Sequence, residues 1–162
     1  MLSLAHMEIN VLIDKEYKKK IKAIWLKKVI LRILEAEKVG VNSEVELVIT
    51  GDEKVHELNK QYLDEDRTTD VLSFPMSEQK GNQPFFVRVP DGKMHLGEII
   101  ISYPQASKQA EEHNHPVERE MHILLIHGVL HLLGYDHDTP ERQKIMWKRA
   151  SVILQAVVES GL

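Results

Sequence analysis

Residues 121–133 constrain the fold more than any other part of the chain. Met121, Ile123, Leu124, Leu125, Ile126, Val129, Leu130, Leu132 and Leu133 leave no polar face at helical spacing. A helix that is apolar all round has to be enclosed by other elements. Three histidines stand inside this run, His122, His127 and His131, and the last two form a pair. Four residues apart, they stack on one helical face with about 5–6 Å between Cβ atoms. Burying two imidazoles costs free energy unless their nitrogens are satisfied, and a shared metal ion satisfies both. Gly134 follows the run and supplies the left-handed residue that ends a helix. The chain then turns back through Tyr135 and Asp136 and brings His137 to the same point. Three neutral imidazoles leave a tetrahedral metal one ligand short, which separates catalytic zinc sites from closed structural ones.

The spacing matches the long zinc-protease pattern H-E-x-x-H-x-x-G-x-x-H at every position but one. That pattern places the general base, Glu, directly after the first His. Here the position holds Gly128. The ligand set is present and the protease base is absent, so the chemistry has to use the first without the second.

With 162 residues the chain has the length of one domain with a sizeable core. Its 43% hydrophobic and 28% charged residues describe an ordinary globular balance. The absence of cysteine removes thiolate catalysis, disulfides and cysteine zinc sites together. No apolar run is long enough to span a bilayer, and the first residues lack the pattern of a signal peptide. Residues 1–6 are expected to be unstructured. Charge is uneven. Residues 15–38 hold nine Lys/Arg against three acids, whereas the rest of the chain holds 12 against 22. Such a basic segment either forms a solvated helix face or orients the protein on a polyanion.

Period and turn residues predict a strand over Glu8 to Ile13. A helix follows from Lys15 to about Lys38, capped by Asp14 and closed by Gly40. A strand over Val45 to Thr50 precedes a helix from Asp52 through Tyr62, with Val55, Leu58 and Tyr62 inward. A charged connection, Asp64 to Thr69, leads to a short strand from Val71 to Phe74. Residues 76–84 read as a loop. Phe85 to Val89 and Met94 to Ser102 read as a hairpin turning at Asp91-Gly92. Pro104 starts a helix to about His113, Pro116 opens the metal helix, and Thr139 caps a last helix to about Ser160. The fold class is α+β: one domain over residues 1–162, with a mixed sheet of about four strands flanked by helices. The metal-binding helix is buried at its centre, and the sheet walls the metal cleft.

Three blocks of the sequence resemble the bacterial YbeY family of metal-dependent endoribonucleases, also described as rRNA maturation factors. They are Leu58-Asn59-x-x-Tyr62 with Thr69-Asp-Val-Leu-Ser-Phe-Pro75; Leu96-Gly-Glu-Ile-Ile-Ile-Ser102; and Glu120 followed by His127-Gly-Val-Leu-His131-Leu-Leu-Gly-Tyr-Asp-His137. The resemblance implies a cytoplasmic protein of ribosomal RNA maturation and ribosome quality control. Its expected partners are single-stranded ribosomal RNA, ribosomal proteins and the small ribosomal subunit. It also implies that His127, His131 and His137 hold one divalent ion, zinc first among the candidates. The chain departs from the family at Leu63, where members often carry an arginine linked to RNA cleavage, and at Glu98, where they often carry Asp.

An ion held by three neutral ligands keeps its charge and suits phosphodiester cleavage. Gly128 is expected to clear space beside it for a phosphate. Arg67 is the first candidate to meet charge developing on phosphorus. Asp70 is the candidate to hold water or to orient a ligand imidazole. Ser73 lacks the adjacent base of a nucleophile. Glu120 is expected to be structural, and His113, His115 and His122 to belong to a helix connection and the surface. Two other readings stay open: an RNA-binding assembly factor with a structural metal, and a non-proteolytic metallohydrolase of small substrates.

Overall fold

Along Ser43–Thr50, buried Ser43, Val45, Leu47 and Ile49 alternate with more exposed Glu44, Glu46 and Val48. That period of two makes a strand with one face on a core. The computed structural model describes residues 7–40, 42–76, 87–88 and 93–162. In chain order these form β1 (Met7–Ile13), α1 (Ala23–Ala36), β2 (Ser43–Thr50), α2 (Asp52–Leu63), β3 (Val71–Pro75), β4 (Val87–Arg88), β5 (Met94–Ser102), α3 (Tyr103–Glu112), α4 (Val117–Leu132) and α5 (Pro140–Glu159).

The sheet runs β1-β2-β5-β3. β1, β2 and β5 are parallel, while β3 and β4 pair antiparallel with β5 along its other edge. β5 is buried on both faces. Ile99 and Ile101 belong to the main core, and Ile100 joins Val55 of α2 and Leu72 of β3 in a smaller cluster. Its unbroken apolar run Ile99-Ile100-Ile101 follows from that double cover.

α4 lies on the main-core face, touching β3, β5, α1, α3 and α5. Met121, Leu125, Leu130 and Leu132 are fully enclosed, each stabilising the fold by about 1.5–3 kcal/mol. This is the central buried helix that its all-round apolarity requires, and the α+β class with a mixed sheet stands. No helix among the described residues is long and apolar enough to cross a membrane.

Several boundaries move, each for a local reason. The expected helix from Lys15 divides into a 3₁₀ turn at Lys15–Tyr17 and α1, which begins at Ala23. Asp14 does not cap it, because its Oδ2 accepts the Thr50 hydroxyl at 2.6 Å. A continuous helix would also set Lys15, Lys18, Lys19 and Lys22 at repulsive i, i+3 and i, i+4 spacings. The left-handed residue after α1 is Lys38 (φ 55°), not Gly40. Gly51 rather than Asp52 stands at the α2 N-cap, and the Asp52 carboxylate accepts the Ser102 hydroxyl at 2.6 Å. Tyr62 points outward, 61% exposed, with its ring edge on Phe74. Pro116 sits one residue before the first turn of α4. Thr139 caps α5 as expected, accepting the Arg142 N–H. Val87–Arg88 pair antiparallel with β5 as the expected hairpin requires, while residues 1–6, the rest of the strand expected over 85–89, residues 77–84 of the expected loop and the turn at Asp91-Gly92 lie outside the described residues.

Candidate metal centre

His127 and His131 project from successive turns of α4, and their Nε2 atoms are 3.2 Å apart. Gly134 takes φ 101°. The chain closes over the helix end as Gly134 N–H donates to His131 O and Tyr135 N–H to Leu130 O. Tyr135 then anchors the turn. Its hydroxyl donates to Glu37 Oε2 at 3.1 Å, and Glu37 is held in turn by Arg149 of α5 at 2.5 Å. The Asp136 carboxylate accepts the His137 N–H at 2.7 Å. His137 thereby reaches the pair, its ring centroid 5.8 Å from His127 and 5.3 Å from His131. One nitrogen of each ring lies within 4.8 Å of the others. The structure brings together all three histidines that the spacing singled out.

The donors fit a small divalent ion. Tetrahedral ligands at zinc–nitrogen distances of about 2.0–2.1 Å sit about 3.3–3.4 Å from one another. The Nε2 pair at 3.2 Å is close to that edge. Burial first, then the neighbouring His131 and His137, pushes the His127 pKa down to about 4. Burial and His137 likewise lower that of His131. Both imidazoles are therefore neutral at neutral pH, the form that binds metal. His137, 52% exposed, leaves one side of the cluster open to solvent.

Asp70 stands at the start of β3. Its Oδ1 accepts the Val71 N–H at 2.8 Å and the Thr69 hydroxyl at 3.2 Å, and its carbonyl accepts the Ser102 N–H. Oδ2 carries no hydrogen bond among the described residues. The Asp70 charge acts on His127, opposing the fall in its pKa, yet no hydrogen bond joins it to a ligand imidazole. Ser73 turns towards α4, its hydroxyl 3.5 Å from the Gly128 carbonyl.

Arg67 lies on the exposed connection before β3. Its guanidinium pairs with Glu65 at 2.9 Å, and its carbonyl accepts the Asn59 amide. No hydrogen bond or ion pair links it to the histidines. Glu98 alternates with Gly97 and Ile99, which meet α4, and so faces away from them.

The expectation for Gly128 needs correction. A Cβ there would meet Ile99 at 3.0 Å, 3.1 Å and 3.3 Å. The glycine lets α4 approach β5; it clears no space beside the histidines. His122 is likewise buried rather than on the surface, 6% exposed with its ring tilted on Trp25. His113 and His115 stand at the α3–α4 connection, but both bind buried Glu120. The spacing H-x-H followed by Glu was the available signal for that cluster.

Together these features define an α+β protein in which three histidines, open to solvent on one side, could hold a metal ion, with Asp70 fixed at the start of the edge strand. The profile of the family described as Endoribonuclease YbeY matches residues 9–158, and the chain belongs to that family. A relative from Dehalococcoides mccartyi strain CBDB1, named endoribonuclease YbeY, is 42% identical over 98% of both chains. One of the same name from Brevibacillus brevis is 43% identical over 82% of this chain and 87% of its own. A solution structure of a Thermotoga maritima protein superposes with a TM-score of 0.61, at 27% identity over 94% of this chain and 90% of that one.

Proposed function

We propose that this chain is a metal-dependent endoribonuclease that cuts single-stranded regions of ribosomal RNA during maturation and ribosome quality control. One observation carries the reading: three imidazoles converge on one point, with the fixed carboxylate of Asp70 near enough for its charge to act on His127. His127, His131 and His137 would hold the ion, and their all-nitrogen set suits zinc. When bound, such an ion supplies Lewis acidity towards water and phosphoryl oxygen.

The chain's own groups do the rest. Val71 and Thr69 hold Asp70 by Oδ1, so its Oδ2 is free to take the proton of the attacking oxygen. Arg67, released from Glu65, meets the charge that builds on the phosphate. Gly128 offers no carboxylate where the protease base would stand, and Ile99 crowds any side chain there, which argues against peptide cleavage. RNA is the expected partner, within the small ribosomal subunit and in the cytoplasm.

A second reading, an RNA-binding assembly factor with a structural metal, is favoured by one pair of observations. Leu63 stands where relatives often carry arginine, and Arg67 is engaged by Glu65.

The test is cleavage of a structured ribosomal RNA fragment by the wild type and by His131→Ala, each with its metal content measured. The nuclease reading expects defined cuts from the wild type only, with the variant folded and depleted of metal. Equal cutting by both, or none by metal-loaded wild type, favours the assembly factor.

A further inference from the structure

Away from the three histidines, a second set of ligand-type groups converges where α3 meets α4. Glu120, in the first turn of α4, is almost fully enclosed, its side chain 3% exposed. Its Oε1 lies 2.7 Å from His115 Nε2 and 3.2 Å from His113 Nδ1. The corner that brings both rings to one oxygen is fixed by the main chain. His113 N–H donates to Gln109 O, Asn114 N–H to Glu111 O and His115 N–H to Ala110 O. Asn114 between them takes φ 55°. The two nitrogens and the carboxylate oxygen lie within 4.8 Å of one another.

A buried carboxylate needs a compensating charge. No Lys or Arg pairs with Glu120 among the described residues; its ionic partners are the two imidazoles. The two imidazoles satisfy its hydrogen bonds, and the α4 N-terminus supplies only a partial charge. A divalent cation supplies the balance by displacing the proton of the 2.7 Å hydrogen bond, the pair opening to the edge of about 3.3 Å that two zinc ligands keep. His113, 58% exposed, opens the cluster to an ion from solvent.

We propose that His113 Nδ1, His115 Nε2 and Glu120 Oε1 form a second divalent-cation site that ties the end of α3 to the start of α4. Two imidazoles and one carboxylate are a zinc-type donor set, unsuited to calcium or magnesium, which prefer oxygen. Glu120 precedes His127 by seven residues, about 10 Å along the helix, so the two sites hold separate ions. The role of this one is to clamp the corner, outside the chemistry.

The experiment uses the full chain carrying His131→Ala, stripped with chelator and titrated with zinc, with bound metal counted after gel filtration. About one zinc ion per chain is expected to remain bound. Adding His113→Ala is expected to weaken that binding at least about tenfold with an unchanged circular dichroism spectrum, since His113 is exposed. Two results overturn the proposal: no zinc bound by His131→Ala, or a bound zinc that His113→Ala does not weaken. The first would mean a hydrogen-bonded triad that takes no ion, the second an ion held by His127 and His137. RNA cleavage is not part of the readout, so the outcome stands apart from the nuclease reading.

Discussion

Gly128→Ala tests whether this glycine serves packing or access to the metal. The added methyl would stand 3.0 Å from Ile99 Cγ2, 3.1 Å from Cδ1 and 3.3 Å from Cγ1, against an ordinary carbon contact of about 3.5–4.0 Å. Ile99 is fully buried between α4 and the sheet, paired with Leu47 and Ser73, so it has little room to retreat. Overpacking of this kind costs about 1–3 kcal/mol. Replacing a helical glycine by alanine returns about 1 kcal/mol. The net expectation is a loss of about 0–2 kcal/mol. In an Ile99→Ala background the clash is gone and the propensity gain remains, so the same substitution should stabilise by about 1 kcal/mol. The coupling of about 1–3 kcal/mol exceeds the scatter of independent sites, about 0.3–0.5 kcal/mol. Urea unfolding of the metal-free chain, followed by circular dichroism through the double-mutant cycle, measures it. An equal stabilisation in both backgrounds would refute the packing argument. A Gly128→Ala protein of wild-type stability that has lost RNA cleavage would restore the access reading.

Three further outcomes follow from the same contacts. His127 ionises near pH 4 when folded against about 6.5 when unfolded, so between those values the unfolded chain binds more protons. Stability of the metal-free protein should therefore fall as pH drops through that window. The full difference is about 3 kcal/mol, and screening of the partly exposed ring reduces the expected loss to about 1–2 kcal/mol; a flat urea midpoint from pH 7 to 4 would contradict it. Asp70→Asn should lower kcat for RNA about 10²–10⁴-fold while metal content stays at the wild-type level, and a loss of metal instead would make Asp70 a ligand-positioning group. Tyr135→Phe removes the hydrogen bond to Glu37 and should cost about 1–2 kcal/mol, read as a lower unfolding midpoint; no change would show that the turn before His137 does not depend on that anchor.

What the sequence made legible was local. The apolar period of α4, the His127–His131 spacing, the Gly134 turn and the Thr139 cap each depend on residues a few positions apart. What it hid depends on distant partners. Asp14 fails to cap because Thr50 takes its carboxylate. Gly128 is needed because Ile99 arrives from β5. Tyr62 turns outward to meet Phe74 across the gap between α2 and β3. His113 and His115 read as surface residues because their spacing before Glu120 does not say that Glu120 is buried, which follows from the corner between α3 and α4. Arg67 and Asp70 are neighbours in sequence with different surroundings: one is paired in solvent with Glu65, the other is fixed by the first amide of β3.

The most direct test of the central claim is cleavage of a single-stranded ribosomal RNA segment by the chain after complete chelation, then after return of zinc in measured amounts. Activity should vanish with the metal while circular dichroism is retained, and should return in proportion to the ion bound at His127, His131 and His137. Undiminished cutting by the metal-free chain, or a reloaded and folded chain that never cuts, would contradict the claim that these three histidines build a catalytic centre.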